Sequence, residues 1–151
     1  MRALRSALGV FATGVTVITA FEASHPVGIT VNSFASVSLD PPLVLWSVAK
    51  TATCAGAFSP QSAFCVHVLA AGQDGLAMNF ARSGGDKFAA LAWGRSEWGA
   101  PLLPGCAAEF HCQAEASYPG GDHTIIVGRV LAHLVRDIPP LLFHRGRFRE
   151  F

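Results

Sequence analysis

"GITVNSFASVSLDPPLVLW", residues 28–46, sets Thr30, Asn32, Ser33, Ser36 and Ser38 in an otherwise apolar region whose single charge is Asp40. Asp40-Pro41-Pro42 then breaks the chain. The run that follows, Leu43 to Ala49, is short and continuously apolar, as in a strand buried on both faces. The short polar side chains admit two readings. They are turn and strand-edge chemistry, or they form a cradle for a polar, planar ligand, since short side chains let backbone amides approach closely.

Working outward, "VTVITAF" (15–21) reads as a β-branched strand, "EASHPVG" (22–28) as a hairpin-like turn, and Ile29 to Val31 as the returning strand. Upstream, Ala3, Leu4, Ala7, Leu8 and Phe11 share one helical face, and Gly14 is the expected stop. This opening resembles a secretory signal in its early arginines and apolar stretch. Thr13, Gly14, Thr16 and Thr19 dilute that stretch, so it reads as mature structure of a cytoplasmic protein. Downstream, "TATCAGAFSPQ" (51–61) predicts a short helix and "SAFCVHVLA" (62–70) another buried strand. "DGLAMNFARSGGDKFAALAW" (74–93) is a helical middle interrupted at Gly84 and Gly85. Strand character returns in 106–118, 123–135 and 140–148. Closely spaced strands with short inserted helices predict a mainly β fold, one antiparallel barrel over residues 1–151, rather than βαβ units.

Charged residues make up only 14 % of the 151, against roughly 25 % in ordinary soluble domains, and apolar ones reach 51 %. No apolar run approaches the roughly 18 residues of a membrane-spanning helix, so burial against a second copy of the chain is expected. A net charge of +1 without a basic stripe argues against nucleic acid. Cys54, Cys65, Cys106 and Cys112 lack CxxC spacing, and the six His lack HExxH, so neither disulfides nor a metal is expected. His25, His67, His111 and His133 read as surface or satisfied core residues. GxGxxG, GxxxxGK[ST] and GxSxG are missing, and the acids are unpaired. A ligand-holding protein short of acid–base groups suits hydride transfer, where cofactors carry the chemistry.

Six stretches in order carry a resemblance: "ALGVFATGVTVITA" (7–20), "PVGITVNSFASVSLDPPLVLWSVAKTATC" (26–54), "NFARSGGDKFAALAW" (79–93), "GAPLLPGCAAEFHC" (99–112), "GGDHTIIVGRV" (120–130) and "PLLFHRGRF" (140–148). The chain resembles the flavin reductases of the FMN-binding split-barrel fold, the reductase components of two-component flavin monooxygenases. The resemblance implies an antiparallel, Greek-key-like split barrel with a few short helices, and a homodimer with flavin near the subunit interface. It implies NADH or NADPH as donor, FMN or FAD as acceptor, and a monooxygenase as the partner receiving reduced flavin. A flavin-retaining oxidase or oxygenase and a non-catalytic flavin carrier are the alternatives.

By the same resemblance, Thr30, Asn32, Ser33, Phe34 and Ser36 would wrap the flavin ring and ribityl chain. Ser47, Val48, Ala49 and Lys50 would run along the ring, and Thr51 and Thr53 would face the ribityl phosphate, where a Ser/Thr-rich turn opening a short helix suits an anion. Phe80, Ala81 and Lys87 would complete the pocket. His123 would position the nicotinamide, with His144 and Arg145 close by to meet the dinucleotide's charge. Arg147 and Arg149 read as solvated. The chain departs from the family pattern at His67, His111, Phe143 and Phe148, where Asn, an acid and two tyrosines are usual.

Overall fold

The computed structural model describes residues 1–151. Its strands are β1 (Thr13–Gly14), β2 (Thr16–Glu22), β3 (His25–Val31), β4 (Ala35–Leu39), β5 (Pro42–Ala49), β6 (Ala63–Val68), β7 (Gly94–Arg95), β8 (Pro101–Leu102), β9 (Ala108–Gly120), β10 (His123–Val135), β11 (Leu142–His144) and β12 (Arg147–Arg149). Two α-helices accompany them, α1 (Arg2–Leu8) and α2 (Asp74–Ala81), with a single 3₁₀ turn over Ala55–Phe58. Seven strands form one antiparallel sheet in the order β3-β2-β6-β9-β10-β5-β4, and β1, β11 and β12 form a small second sheet. The fold is the expected mainly β, antiparallel split barrel. No helix is long and apolar enough to cross a membrane.

Strand β2 is buried on both faces because it separates two cores. Ile18 and Ala20 face the barrel interior with Trp46, Phe58, Phe64 and Ile126. Val15 and Val17 face a second cluster with Leu69, Ala77, Phe80 and Leu103 under α2. This is why Val15 to Ala20 is buried throughout instead of alternating. The two threonines in the strand are satisfied: Thr16 Oγ1 donates to the Val31 carbonyl at 2.9 Å and Thr19 Oγ1 to that of Pro101 at 2.7 Å. An aromatic trio locks the barrel, Trp46 meeting Phe58 edge-on at 4.7 Å and Phe64 at 5.8 Å.

Several expectations are corrected. Helix α1 ends at Leu8 with Gly9 as its cap, whereas Gly14 lies in β1. Arg145 lies against Gly9, its N–H donating to the Gly9 carbonyl at 2.8 Å. The turn over 22–28 contracts to Ala23 and Ser24, and β3 already begins at His25. In the helical middle only 74–81 is helical. Gly84 and Gly85 both take positive φ, and Asp86 Oδ1 accepts the Phe88 N–H at 3.0 Å, so 82–92 folds as turns. The expected helix over 51–61 is one 3₁₀ turn.

His67 and His111 are buried and partnered, as read from the sequence, while His25 and His133 are exposed. His67 bridges two main-chain groups: its Nδ1 lies 3.1 Å from the Val17 carbonyl, and its Nε2 accepts the Leu103 N–H at 3.1 Å. His111 lies between Ser96 Oγ at 3.1 Å and Glu109 Oε1 at 3.3 Å. All four thiols are free and buried. Burial pushes Cys106 up to about 11 and Cys112 up to about 12, so both stay neutral and pack as small hydrophobes.

Candidate flavin and nicotinamide site

Three adjoining cavities run along the C-terminal end of α2, where β3, the chain after β5 and the 82–88 turns meet. Thr51, Thr53, Ala49, Phe80, Ala81 and Lys87 face one of about 200 Å³. Thr53 and Lys87 also face a smaller one of about 130 Å³ with Gly28, Gly84 and Gly85. Ala81 joins the first to a third, of about 360 Å³, faced by Thr30, Asn32, Met78, Phe143 and Phe148. Thr53 and Lys87, then Ala81, make these neighbours, and the row they form is a trough. One end is hydroxyl-rich and cationic, the other aromatic with a single amide.

Local chemistry explains the placement. Thr30 Oγ1 donates to the Ala77 carbonyl at 2.6 Å, tying α2 to β3. Gly28 leaves room for Phe80, since a Cβ there would stand 2.8 Å from the ring. Phe80 in turn packs edge-on against Phe88 at 5.0 Å, and its carbonyl accepts from Lys87 Nζ at 3.4 Å. Thr30 is thus committed to the scaffold through its hydroxyl, and Phe80 contributes a buried wall. Asn32, Thr51 and Thr53 make no side-chain hydrogen bond within the chain and are free for a ligand. Arg82 and Ser83, which face the Lys87 cavity, were overlooked even though they stand inside the quoted "NFARSGGDK".

The remaining expected residues occupy different positions. Ser33 and Ser47 bond to each other: Ser33 Oγ accepts the Ser47 N–H at 2.9 Å and donates to its carbonyl at 3.4 Å. Phe34 packs on Phe110 at 5.6 Å and on the barrel core. Val48 is buried in that core, so only its backbone faces the strand edge. Ser36 is exposed on β4, and Lys50 is exposed with its N–H on the Asp122 carbonyl at 3.0 Å. This last bond, with the register His123↔Ala49, sets His123 beside the β5 end. His123 Nδ1 lies 2.7 Å from Asp122 Oδ1, and that hydrogen bond holds the exposed Asp122 carboxyl below its ordinary value. His144 and Arg145 lie elsewhere, beyond Phe143 on the β11–β12 hairpin.

The donor set fits a flavin monophosphate: hydroxyls of Thr51 and Thr53 with the Lys87 and Arg82 cations at one end, Asn32 within an apolar wall at the other. The short 3₁₀ turn adds little dipole, so the anion would be met by side chains and not by a helix terminus. A split barrel with such a trough, and with His123 paired to Ala49 beside it, is compatible with a flavin-binding protein.

The model of the flavin reductase like domain matches residues 8–151. The chain is 52 % identical over 150 residues to the FMN reductase (NADH) SmoA of Agrobacterium fabrum, covering 99 % of this chain and 86 % of that protein. It is 42 % identical over 148 residues to HsaB of Rhodococcus jostii, the reductase subunit of a flavin-dependent monooxygenase, covering 97 % and 76 %. Among solved structures, the Streptomyces globisporus C-1027 NADH:FAD oxidoreductase SgcE6 in complex with NAD and FAD fragments superposes with a TM-score of 0.93 at 43 % identity, covering 98 % and 90 %. The chain belongs to the flavin reductase family. Its activity is that of a flavin oxidoreductase using reduced nicotinamide.

Proposed function

We propose that the trough holds FMN or the FMN half of FAD, that NADH or NADPH docks from the His123 side, and that reduced flavin passes to a partner monooxygenase. The observation that carries this reading is the row of three neighbouring cavities between the Lys87 cation and the Asn32 amide. When bound, the flavin accepts hydride from the reduced nicotinamide. Thr51, Thr53, Arg82 and Lys87 would neutralise and hold the phosphate. Asn32 would supply a donor and an acceptor to the ring's polar edge. Ala49, with its small side chain, leaves open the face across which His123 would orient the nicotinamide. Ser33, Ser47, Phe34 and Thr30 fix the walls, and Ser36, Val48 and Lys50 contribute backbone. His144 and Arg145 would contact the donor's charged portion.

The working unit is a homodimer. Leu4 and Leu8 of α1 and Phe11 just beyond it are 63 %, 65 % and 79 % exposed in the single chain, which supports their burial against a second copy. Four free thiols suit the reducing cytoplasm. A reductase serving a monooxygenase accords with HsaB, the reductase subunit of a flavin-dependent monooxygenase. The test is NADH and NADPH oxidation with added FMN or FAD. Oxidation dependent on added flavin, with flavin lost on gel filtration, is expected. Retained flavin with an organic substrate requirement would favour the oxidase alternative, and no oxidation would leave only a carrier.

A further inference from the structure

We propose that Asn79 is the positioning residue of the flavin-phosphate end: its amide clamps the main chain of Lys87 to α2 and so sets the preference for phosphorylated flavins over riboflavin. This rests on the reductase reading and extends it to a residue that faces none of the three cavities.

Helix α2 ends at Ala81, and the chain has to double back to bring Lys87 to the helix end. Gly84 and Gly85, with φ of +71° and +76°, make that reversal. No main-chain hydrogen bond ties residues 83–87 to the rest of the molecule. Side chains therefore decide where this segment sits. Asp86 Oδ1 accepts the Phe88 N–H at 3.0 Å, which shapes the turn from within but does not attach it. The attachment comes from Asn79, whose Nδ2 donates to the Lys87 carbonyl at 2.7 Å in a half-buried bond.

The end of α2 also gathers the two cations. The last carbonyls of a helix lack partners within it and carry its negative partial charge. No basic residue stands in the last turn of α2, so the cations arrive from beyond it. The Asn79 carbonyl accepts from Arg82 Nε at 3.3 Å, and the Phe80 carbonyl accepts from Lys87 Nζ at 3.4 Å. Both contacts are long, and a phosphate, as a full anion, draws the two cations more strongly than a carbonyl does. The amide bond of Asn79 is of another kind, because it holds the Lys87 main chain and leaves the ammonium free to turn to the ligand. Without that clamp, the ordering of the 83–87 segment falls on ligand binding and weakens it.

Riboflavin, which has the ring and ribityl chain but no phosphate, makes the test selective. Asn79→Ala and Asn79→Leu both remove the donor, and both residues favour a helix more than Asn does. Each variant is titrated with FMN and with riboflavin and compared with the unaltered protein. The Kd for FMN should rise roughly fivefold in both, the worth of one hydrogen bond, while that for riboflavin changes less than twofold. Normal riboflavin affinity also shows that a variant is folded. In a Lys87→Gln background Asn79→Ala should no longer affect FMN, since the side chain it positions is gone. Equal losses for FMN and riboflavin would make Asn79 a merely structural residue and overturn the proposal. An unchanged FMN affinity would overturn it as well, as would an FMN loss that persists in full without Lys87. Should the unaltered protein oxidise no NADH, the reductase reading fails, yet these titrations need no turnover and still decide the role of Asn79.

Discussion

Ser33 closes the hydrogen-bond ladder of Ser47 with a side chain where a neighbouring strand would use its backbone. Strand β4 pairs with β5 from Leu39↔Pro42 up to Ala35↔Leu45, and two residues further on the Ser33 hydroxyl alone serves both main-chain groups of Ser47. The chain can thus leave the sheet at Ser33 and turn Asn32 into the trough without orphaning Ser47. Ser33→Ala should cost about 1–2 kcal/mol of stability, the penalty for unpaired half-buried groups. It should also weaken flavin binding. Asn32→Ala, by contrast, should weaken flavin binding roughly tenfold and leave the melting temperature within 1–2 °C, since that amide bonds to nothing in the chain. Denaturation curves and flavin fluorescence titrations read the two effects separately.

His123 sits opposite Ala49 and close to Asp122, outside the cavities that would hold the flavin. His123→Ala should raise the KM for NADH roughly tenfold while changing flavin affinity less than twofold. Parallel losses in both would show that the two sites are not separate.

His67 should make stability pH-dependent. Burial lowers its pKa from 6.5 to about 4, outweighing the Val17 carbonyl, which favours the protonated ring, while the Leu103 N–H donated to Nε2 requires that nitrogen unprotonated. Between these values the unfolded chain binds the extra proton and the native chain does not. The contribution is therefore complete above pH 6.5 and is lost as the pH falls towards 4, about 3 kcal/mol in all. Urea denaturation at pH 7 and at pH 4.5 should reveal that loss, and His67→Asn should flatten the difference. An unchanged slope in the variant would assign the pH dependence elsewhere.

Gly28 carries a packing prediction. A methyl group there meets the Phe80 ring at 2.8 Å, and Phe80 is fully buried against Phe88. Gly28→Ala should destabilise by about 1–3 kcal/mol. It should also loosen flavin phosphate binding, because the Phe80 carbonyl anchors Lys87. A variant with normal melting and normal flavin affinity would contradict the assigned wall.

The strands were legible where local signals agree. His123 to Val135, rich in β-branched residues, coincides with β10 residue for residue. The flavin stretch was legible as a cluster of short polar side chains, but not the division of labour within it. That Thr30 and Ser33 serve the scaffold while Asn32 stays free depends on Ala77 and Ser47, partners 47 and 14 residues away. The break at Gly84 and Gly85 was legible, but not its extension through 92, because the alanines of 89–92 favour helix whereas the two left-handed glycines and the Asp86 turn override that preference. Asp40-Pro41-Pro42 proved to be the β4–β5 corner, at the far end of β5 from Ser47, and lies outside the cavities of the trough.

The most direct test of the central claim is anaerobic mixing of the protein and oxidised FMN or FAD with NADH, followed by flavin absorbance in a stopped-flow instrument. The account predicts rapid, saturable bleaching that slows for Asn32→Ala through weaker flavin binding and for His123→Ala through weaker NADH binding. Bleaching no faster than in buffer alone would contradict it.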